Sequence, residues 1–248
     1  EQNREQEIWL QISNLVAART LGGVEMDLFD LSNKVAIVTG GNGGIGLGMV
    51  RGLANAGATI AIVGRNAEKT QAAVVEIQAL GGRAQGVIVD VTHATAVAAM
   101  VEEVVSTLGG IDILVNNAFD ISARTGFNDP SGKLEVSSFD QWSSALESGI
   151  YWAVSTSQII GDQMKTYCSG SIINISSMYG LVSPNPKLYE ETPFFNPPSY
   201  GVAKAGLIAF TRYVAAFWGK HNIRCNSLVA GAFSNTEYDS YNAVKSDD

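Results

Sequence analysis

A chain of 248 residues with 46% hydrophobic content is long enough to bury a substantial core and short enough for one α/β domain. Its net charge of −8 excludes the basic footprint of a nucleic-acid binder, and no apolar run is long enough to cross a membrane as a helix. Cys168, Cys225, His93 and His221 stand isolated, so no metal site is expected; the cysteine usage and the lack of a secretory pattern fit a cytoplasmic protein.

Residues 1–25 read as an N-terminal extension. Ile8, Ile12, Leu15 and Val16 fall on one helical face, which suits an amphipathic arm or an appended segment. The chain opens on Glu1 and not on methionine, so its ends are taken as non-native, and residues 26–248 read as one domain. The stretch that organises that domain runs from Lys34 to Arg65. An apolar run at Val35–Val38 predicts a buried strand, a glycine-rich turn follows with Asn42 inside it, and Ile45, Val50, Leu53 and Ala54 recur at helical spacing before a second strand at Thr59–Val63. Glycine suits such a turn because a pyrophosphate can rest on backbone N–H groups and a helix N-terminus only where no Cβ intervenes. Leu47 stands where a phosphate-binding loop of the lysine type would carry its lysine, which rules that alternative out.

Downstream, Asn66 predicts an N-cap for a helix to Leu80, Gln85–Val89 a third strand followed by Asp90-Val91, Ala94–Leu108 a helix ended by Gly109-Gly110, and Ile111–Val115 a fourth strand. A polar loop (118–137) leads to a long helix over 138–167, a fifth strand at Ser171–Ile175, a loop (178–198) with five prolines, a helix over 199–218 and a sixth strand at 222–229. This alternation predicts a doubly wound, mostly parallel sheet with helices on both faces and no last strand after the sixth. A loop as long as 178–198 in a compact domain is usually functional.

Ligands of such sheets bind beyond the carboxyl ends of the strands, and polar groups gather there. Tyr200 and Lys204 are four apart on one helical face, so the ammonium is expected to lower the phenol's affinity for its proton, while Ser177 can orient a substrate oxygen. Tyr241 and Lys245 repeat the spacing without a strand–turn–helix context and read as a coincidence.

Thr39-Gly40…Gly44-Ile45-Gly46, Asp90, Asn116-Asn117-Ala118, Ser177, Tyr200…Lys204 and Asn226-Ser227 occur in the order of the short-chain dehydrogenase/reductase family, and the resemblance spans residues 28–233. It implies a Rossmann-like fold and an oxidoreductase that interconverts a secondary alcohol and a ketone. By the same resemblance the glycine turn, Asp90, Val91, Asn117 and Ala118 hold the dinucleotide, Ser177 orients substrate, Tyr200 is the acid/base, and Lys204 binds the nicotinamide ribose. Gly64-Arg65 ends the second strand without a carboxylate, which favours NADP(H), with NAD(H) acceptable. The enlarged loop and the FDLSNK opening resemble members that act on sugar acids or polyols. The alternatives are a reductase of 3-oxoacyl chains and a dinucleotide-binding protein of little turnover. Partners are a small-molecule substrate and, for the full-length chain, further copies in a homodimer or homotetramer. Three departures stand out: Phe119 follows Ala118 where the family has glycine, Gly149 stands at the asparagine that completes a proton relay, and Ala230-Gly231 replaces Pro-Gly.

Overall fold

A computed structural model describes residues 29–190 and 195–231; the helical face at 8–16 and the Tyr241–Lys245 pair lie outside the described residues. Among the described residues six strands form one sheet: β1 (Val35–Thr39), β2 (Thr59–Gly64), β3 (Arg83–Ile88), β4 (Ile113–Asn116), β5 (Gly170–Ser177) and β6 (Ile223–Ala230). Their order is β3-β2-β1-β4-β5-β6 and every pairing is parallel. The chain therefore reverses direction across the sheet between β1 and β4, and beyond their carboxyl ends a crevice opens.

β1 shows why these strands are apolar without alternation. Val35 and Ile37 enter one core with Leu114, Met100, Ile160 and Ile223, whereas Ala36 and Val38 enter the other with Val50, Ile60, Ile62 and Val115. Both faces are covered by helices, so both sets of side chains are buried. One layer holds α1 (Gly44–Asn55) and α2 (Ala67–Ala79); the other holds α3 (Ala94–Leu108), α5 (Trp152–Tyr167) and α6 (Pro198–Trp218). The predicted punctuation holds at two ends: the Asn66 side chain accepts the Lys69 N–H at 2.8 Å, and Gly109 closes α3 in the left-handed conformation.

The helix predicted over 138–167 is three pieces: α4 (Phe139–Leu146), a π turn (Glu147–Tyr151) and α5. Gly149 lies in the middle of the π turn, where the backbone comes so close to α6 that a Cβ would sit 2.6 Å from the Ala203 Cβ. A single-turn π segment lets the chain absorb the extra residue at that contact.

A buried polar network ties β4 and β5 to the helices behind them. Asn116 Nδ2 donates to Asn174 Oδ1 (2.8 Å) and Ser157 Oγ (3.0 Å), and Asn174 Nδ2 donates to Thr211 Oγ1 (2.9 Å). The network sits at the sheet's centre, where a missing partner has no water to replace it. Asn174→Ala is expected to lower stability by about 3 kcal/mol, through the lost partners and the cavity together. Urea unfolding reads this as a lower midpoint at unchanged slope.

Candidate active site

The glycine turn is held from behind by β4. Thr39 Oγ1 donates to the Val115 carbonyl (3.2 Å) and accepts the N–H groups of Asn117 (3.0 Å) and Ala118 (3.1 Å). The Asn117 amide donates to the carbonyls of Thr39 (3.0 Å) and Gly40 (3.1 Å), so its nitrogen is spent on the turn. Gly46 is required there, since a Cβ would lie 2.2 Å from the Gly40 oxygen and 2.6 Å from Asn117 Nδ2. No side chain caps α1 and no acidic residue stands in its first turn. Its leading N–H groups thus face a cleft of about 1250 Å³ with an electropositive end, a natural seat for an anion.

The far end of this cleft is lined by Asn42, Arg65, Lys69, Asp90 and Val91. Asn42 Nδ2 donates to Thr70 Oγ1 (2.9 Å) and lies over Gly64, so close that a Cβ at 64 would be 2.2 Å from it. Arg51 pairs with Glu76, but among the described residues Arg65 and Lys69 have no carboxylate within 4.0 Å. Burial pushes the Asp90 carboxyl up, yet hydrogen bonds from Thr92 and the charges of Arg65 and His93 outweigh it, and the net shift is downward.

A smaller cavity of about 200 Å³ adjoins the cleft and shares Ile45, Asn117 and Phe119 with it; Ser177, Tyr200 and Lys204 line its floor. The predicted residues are therefore brought together, with the buried Thr39 behind the turn. Lys204 Nζ donates to the Ile175 carbonyl at 2.8 Å and lies 5.7 Å from the centroid of the Tyr200 ring. Burial lowers its ammonium from an ordinary 10.5 to about 8. The phenol differs from the sequence expectation. Burial raises the Tyr200 hydroxyl above its ordinary value, and the hydrogen bond with Ser177 opposes this without overcoming it. Charge on Tyr189 adds to the rise, and two rings pack against the phenol: Phe119 and Phe127 each lie 5.3 Å from the Tyr200 centroid, edge-on.

The profile of the short chain dehydrogenase family matches residues 34–245. The 2-dehydro-3-deoxy-D-gluconate 5-dehydrogenase of Formosa agariphila is 32% identical over 215 residues, covering 86% of this chain and 75% of that protein. Among solved structures, a gluconate 5-dehydrogenase from Burkholderia cenocepacia in complex with NADP and tartrate superposes with a TM-score of 0.73 at 29% identity, over 86% of this chain and 77% of the other. An NAD+-bound xylitol dehydrogenase superposes with a TM-score of 0.73 at 29% identity, over 85% and 75%. The chain belongs to the short-chain dehydrogenase family. It is an NAD(P)-dependent oxidoreductase that acts on a CH–OH group.

Against that family pattern the departures acquire structural reasons. Gly149 leaves no room for a relay asparagine, because any side chain would strike Ala203 and then Phe119. An asparagine restored there would move α6 before it could hold a water. Phe119 lines both cavities and turns its ring onto Tyr200. Sequence reasoning missed Phe127, whose position in a polar loop gave no sign of Tyr200. It also missed Tyr179 and Tyr189, although the length of loop 178–198 marked their neighbourhood. Their hydroxyls hydrogen-bond each other, Asn196 donates to Tyr189 (2.7 Å), and the Tyr179 N–H reaches Ser177 Oγ (3.2 Å). Burial, then the bond to Tyr189, pushes the Tyr179 phenol up to about 12.

The Lys204 shift has a sign that can be measured. Its folded value, about 8, lies below its ordinary 10.5, so between them the unfolded chain holds more protons and stability rises with pH. The Cys225 thiol, pushed by burial from 9.0 to about 12, works the other way above pH 9. From pH 8 to 9 the parent is expected to gain about 1 kcal/mol relative to Lys204→Met, measured by urea unfolding at each pH.

Proposed function

We propose that the chain oxidises or reduces a sugar acid or polyol with NADP(H), using Tyr200 as the acid/base. The observation that carries this reading is that Ser177, Tyr200 and the buried Lys204 line one small cavity where it joins the cleft. The cleft fits a dinucleotide: the uncapped N-terminus of α1 and the Gly40–Gly46 contact leave bare N–H groups where a pyrophosphate would lie. When bound, the nicotinamide supplies or takes up the hydride. The α1 N–H groups hold the pyrophosphate, and Arg65 with Lys69 meets the ribose 2′-phosphate. Ser177 orients the substrate oxygen. Tyr200 gives its proton to that oxygen during reduction and takes it back during oxidation. The Lys204 ammonium favours the phenolate in the second direction.

The substrate class rests on relatives named for gluconate, 2-dehydro-3-deoxy-D-gluconate and xylitol. The preference for NADP(H) rests on the bare Gly64 and on Arg65 and Lys69, which among the described residues have no carboxylate within 4.0 Å. A cytoplasmic homodimer or homotetramer with one domain per subunit completes the reading, supported by the composition and the family.

Tyr200→Phe should lower turnover at least a hundredfold and leave the cofactor dissociation constant within twofold, followed by nicotinamide absorbance over a panel of sugar acids and polyols. Turnover equal to the parent's overturns the assignment, and no turnover by the parent on any of the panel overturns the substrate class. Arg65→Ala should weaken NADPH binding about tenfold or more, the loss of a charged hydrogen bond, and change NADH binding less than threefold. An unchanged ratio in fluorescence titrations removes the NADP(H) preference.

A further inference from the structure

Phe119 touches both members of the Tyr200–Lys204 pair. Its ring meets Tyr200 edge-on at 5.3 Å, and the Lys204 ammonium lies 4.9 Å from its centroid. It also packs edge-on against Phe127, 6.3 Å away, which itself lies 5.3 Å from Tyr200, so the three rings form one triangular cluster. The ring can stand there because of Gly149: a Cβ at that position would lie 3.2 Å from Phe119 Cε2 and 3.6 Å from Cδ2. Gly149 is itself fixed by the close approach of the π turn to Ala203, the residue that precedes Lys204. Three facts thus meet at one point: a helix without a side chain, a ring in the notch, and an ammonium over the ring.

We propose that Phe119 and Gly149 form a size-matched positioning pair, in which the ring admitted by the glycine supplies the apolar-side partner of the Lys204 ammonium and fixes the Tyr200 ring beside it. The ammonium's three donors have one carbonyl partner here, Ile175, and the electron-rich ring face partly compensates the remaining charge. The other groups around it are few. α6 itself offers Tyr200; β5 offers the Ser176 and Ser177 hydroxyls; the loop after β4 offers Asn117; and the turn and loop after β5 bring the phenols of Tyr179 and Tyr189 towards Tyr200. Among the described residues no carboxylate lines this cavity, so the ring is the principal counterpart the ammonium has besides the backbone.

The role attributed to Tyr200 underlies the functional weight of this pair, but the test does not pass through turnover. Carbon-13 labelling of lysine Cε allows Lys204 to be titrated by NMR, its signal assigned by loss in Lys204→Met. In Phe119→Leu the midpoint should fall by about half a pH unit, because a weak cation–π contact is removed and the charged form is disfavoured. In Phe119→Tyr, which keeps the ring face, it should stay within about 0.2 of the parent on the same scale. Gly149→Ala should lower the midpoint as Phe119→Leu does, and should add less than half as much in the Phe119→Leu background, since the two act on one contact. An unmoved midpoint in Phe119→Leu, equal shifts in the Leu and Tyr variants, or additive effects overturn the proposal. Should Phe119→Leu fail to fold by circular dichroism, Phe119→Met carries the same expectation and the same refutation. Loss of turnover in Tyr200→Phe together with an unmoved Lys204 midpoint in Phe119→Leu would refute the pair alone. Retained turnover in Tyr200→Phe would refute the acid/base reading alone.

Discussion

The close approach of helix α6 to the turns around it is the constraint from which the site follows. Four glycines mark it. Gly180 lies against the Lys204 backbone and Gly201 against the Tyr179 carbonyl, each with room for a Cβ only at 2.9 Å; Gly149 meets Ala203 and Gly206 meets Ile150, each at 2.6 Å. Backbone packed this tightly cannot slide, and side chains on the enclosed turn of the helix inherit that rigidity. Tyr200 and Lys204 stand on that turn. A reacting hydroxyl needs to be placed within a fraction of an ångström, and fixing the helix from two segments, the turn after β5 and the π turn, is one way a scaffold achieves it.

Rigidity of this kind excludes water, and the electrostatics follow. The same burial moves the Tyr200 phenol up and the Lys204 ammonium down, so each group is pushed towards its neutral form. Desolvation is the largest cause of both shifts. Among the described residues, the carbonyl of Ile175 and the ring of Phe119 keep the ammonium in place without an acidic partner. A carboxylate in that position would draw Lys204 away from the phenol; a carbonyl and a ring leave its charge available to whatever lies in the cleft.

Much of this was legible in the sequence because it is local. The strands, the Asn66 cap, the glycine at the end of α3 and the glycine turn are written in spacings of one to four residues. So is the pairing of Tyr200 with Lys204. What the sequence did not show depends on contacts between distant segments. Gly149 read as a lost asparagine, and only the position of Ala203, 54 residues on, shows that the glycine is sterically required. Phe119 read only as a bulky residue and Phe127 was passed over in a polar loop, because nothing in their neighbours tells that a tyrosine from α6 joins them in one cluster. The phenol's upward shift was missed for the same reason: spacing reveals the nearby ammonium, but the apolar rings come from elsewhere. The break in the long helix at the π turn also belongs here, since its cause is packing against α6.

The contact between Asn42 and Gly64 bears on how this enzyme could be re-engineered. The familiar route to a different dinucleotide is to place a carboxylate at the end of the second strand. At position 64 the β-carbon alone would fall 2.2 Å from the Asn42 amide and 2.9 Å from the Thr70 hydroxyl, the two atoms whose bond ties the glycine turn to α2. An aspartate grafted there would unfasten the loop that seats the pyrophosphate before it could recognise a ribose. Selectivity and seating share one atom pair, so a redesign has to begin one residue later, at Arg65, where the side chain is exposed and the backbone is free to carry it.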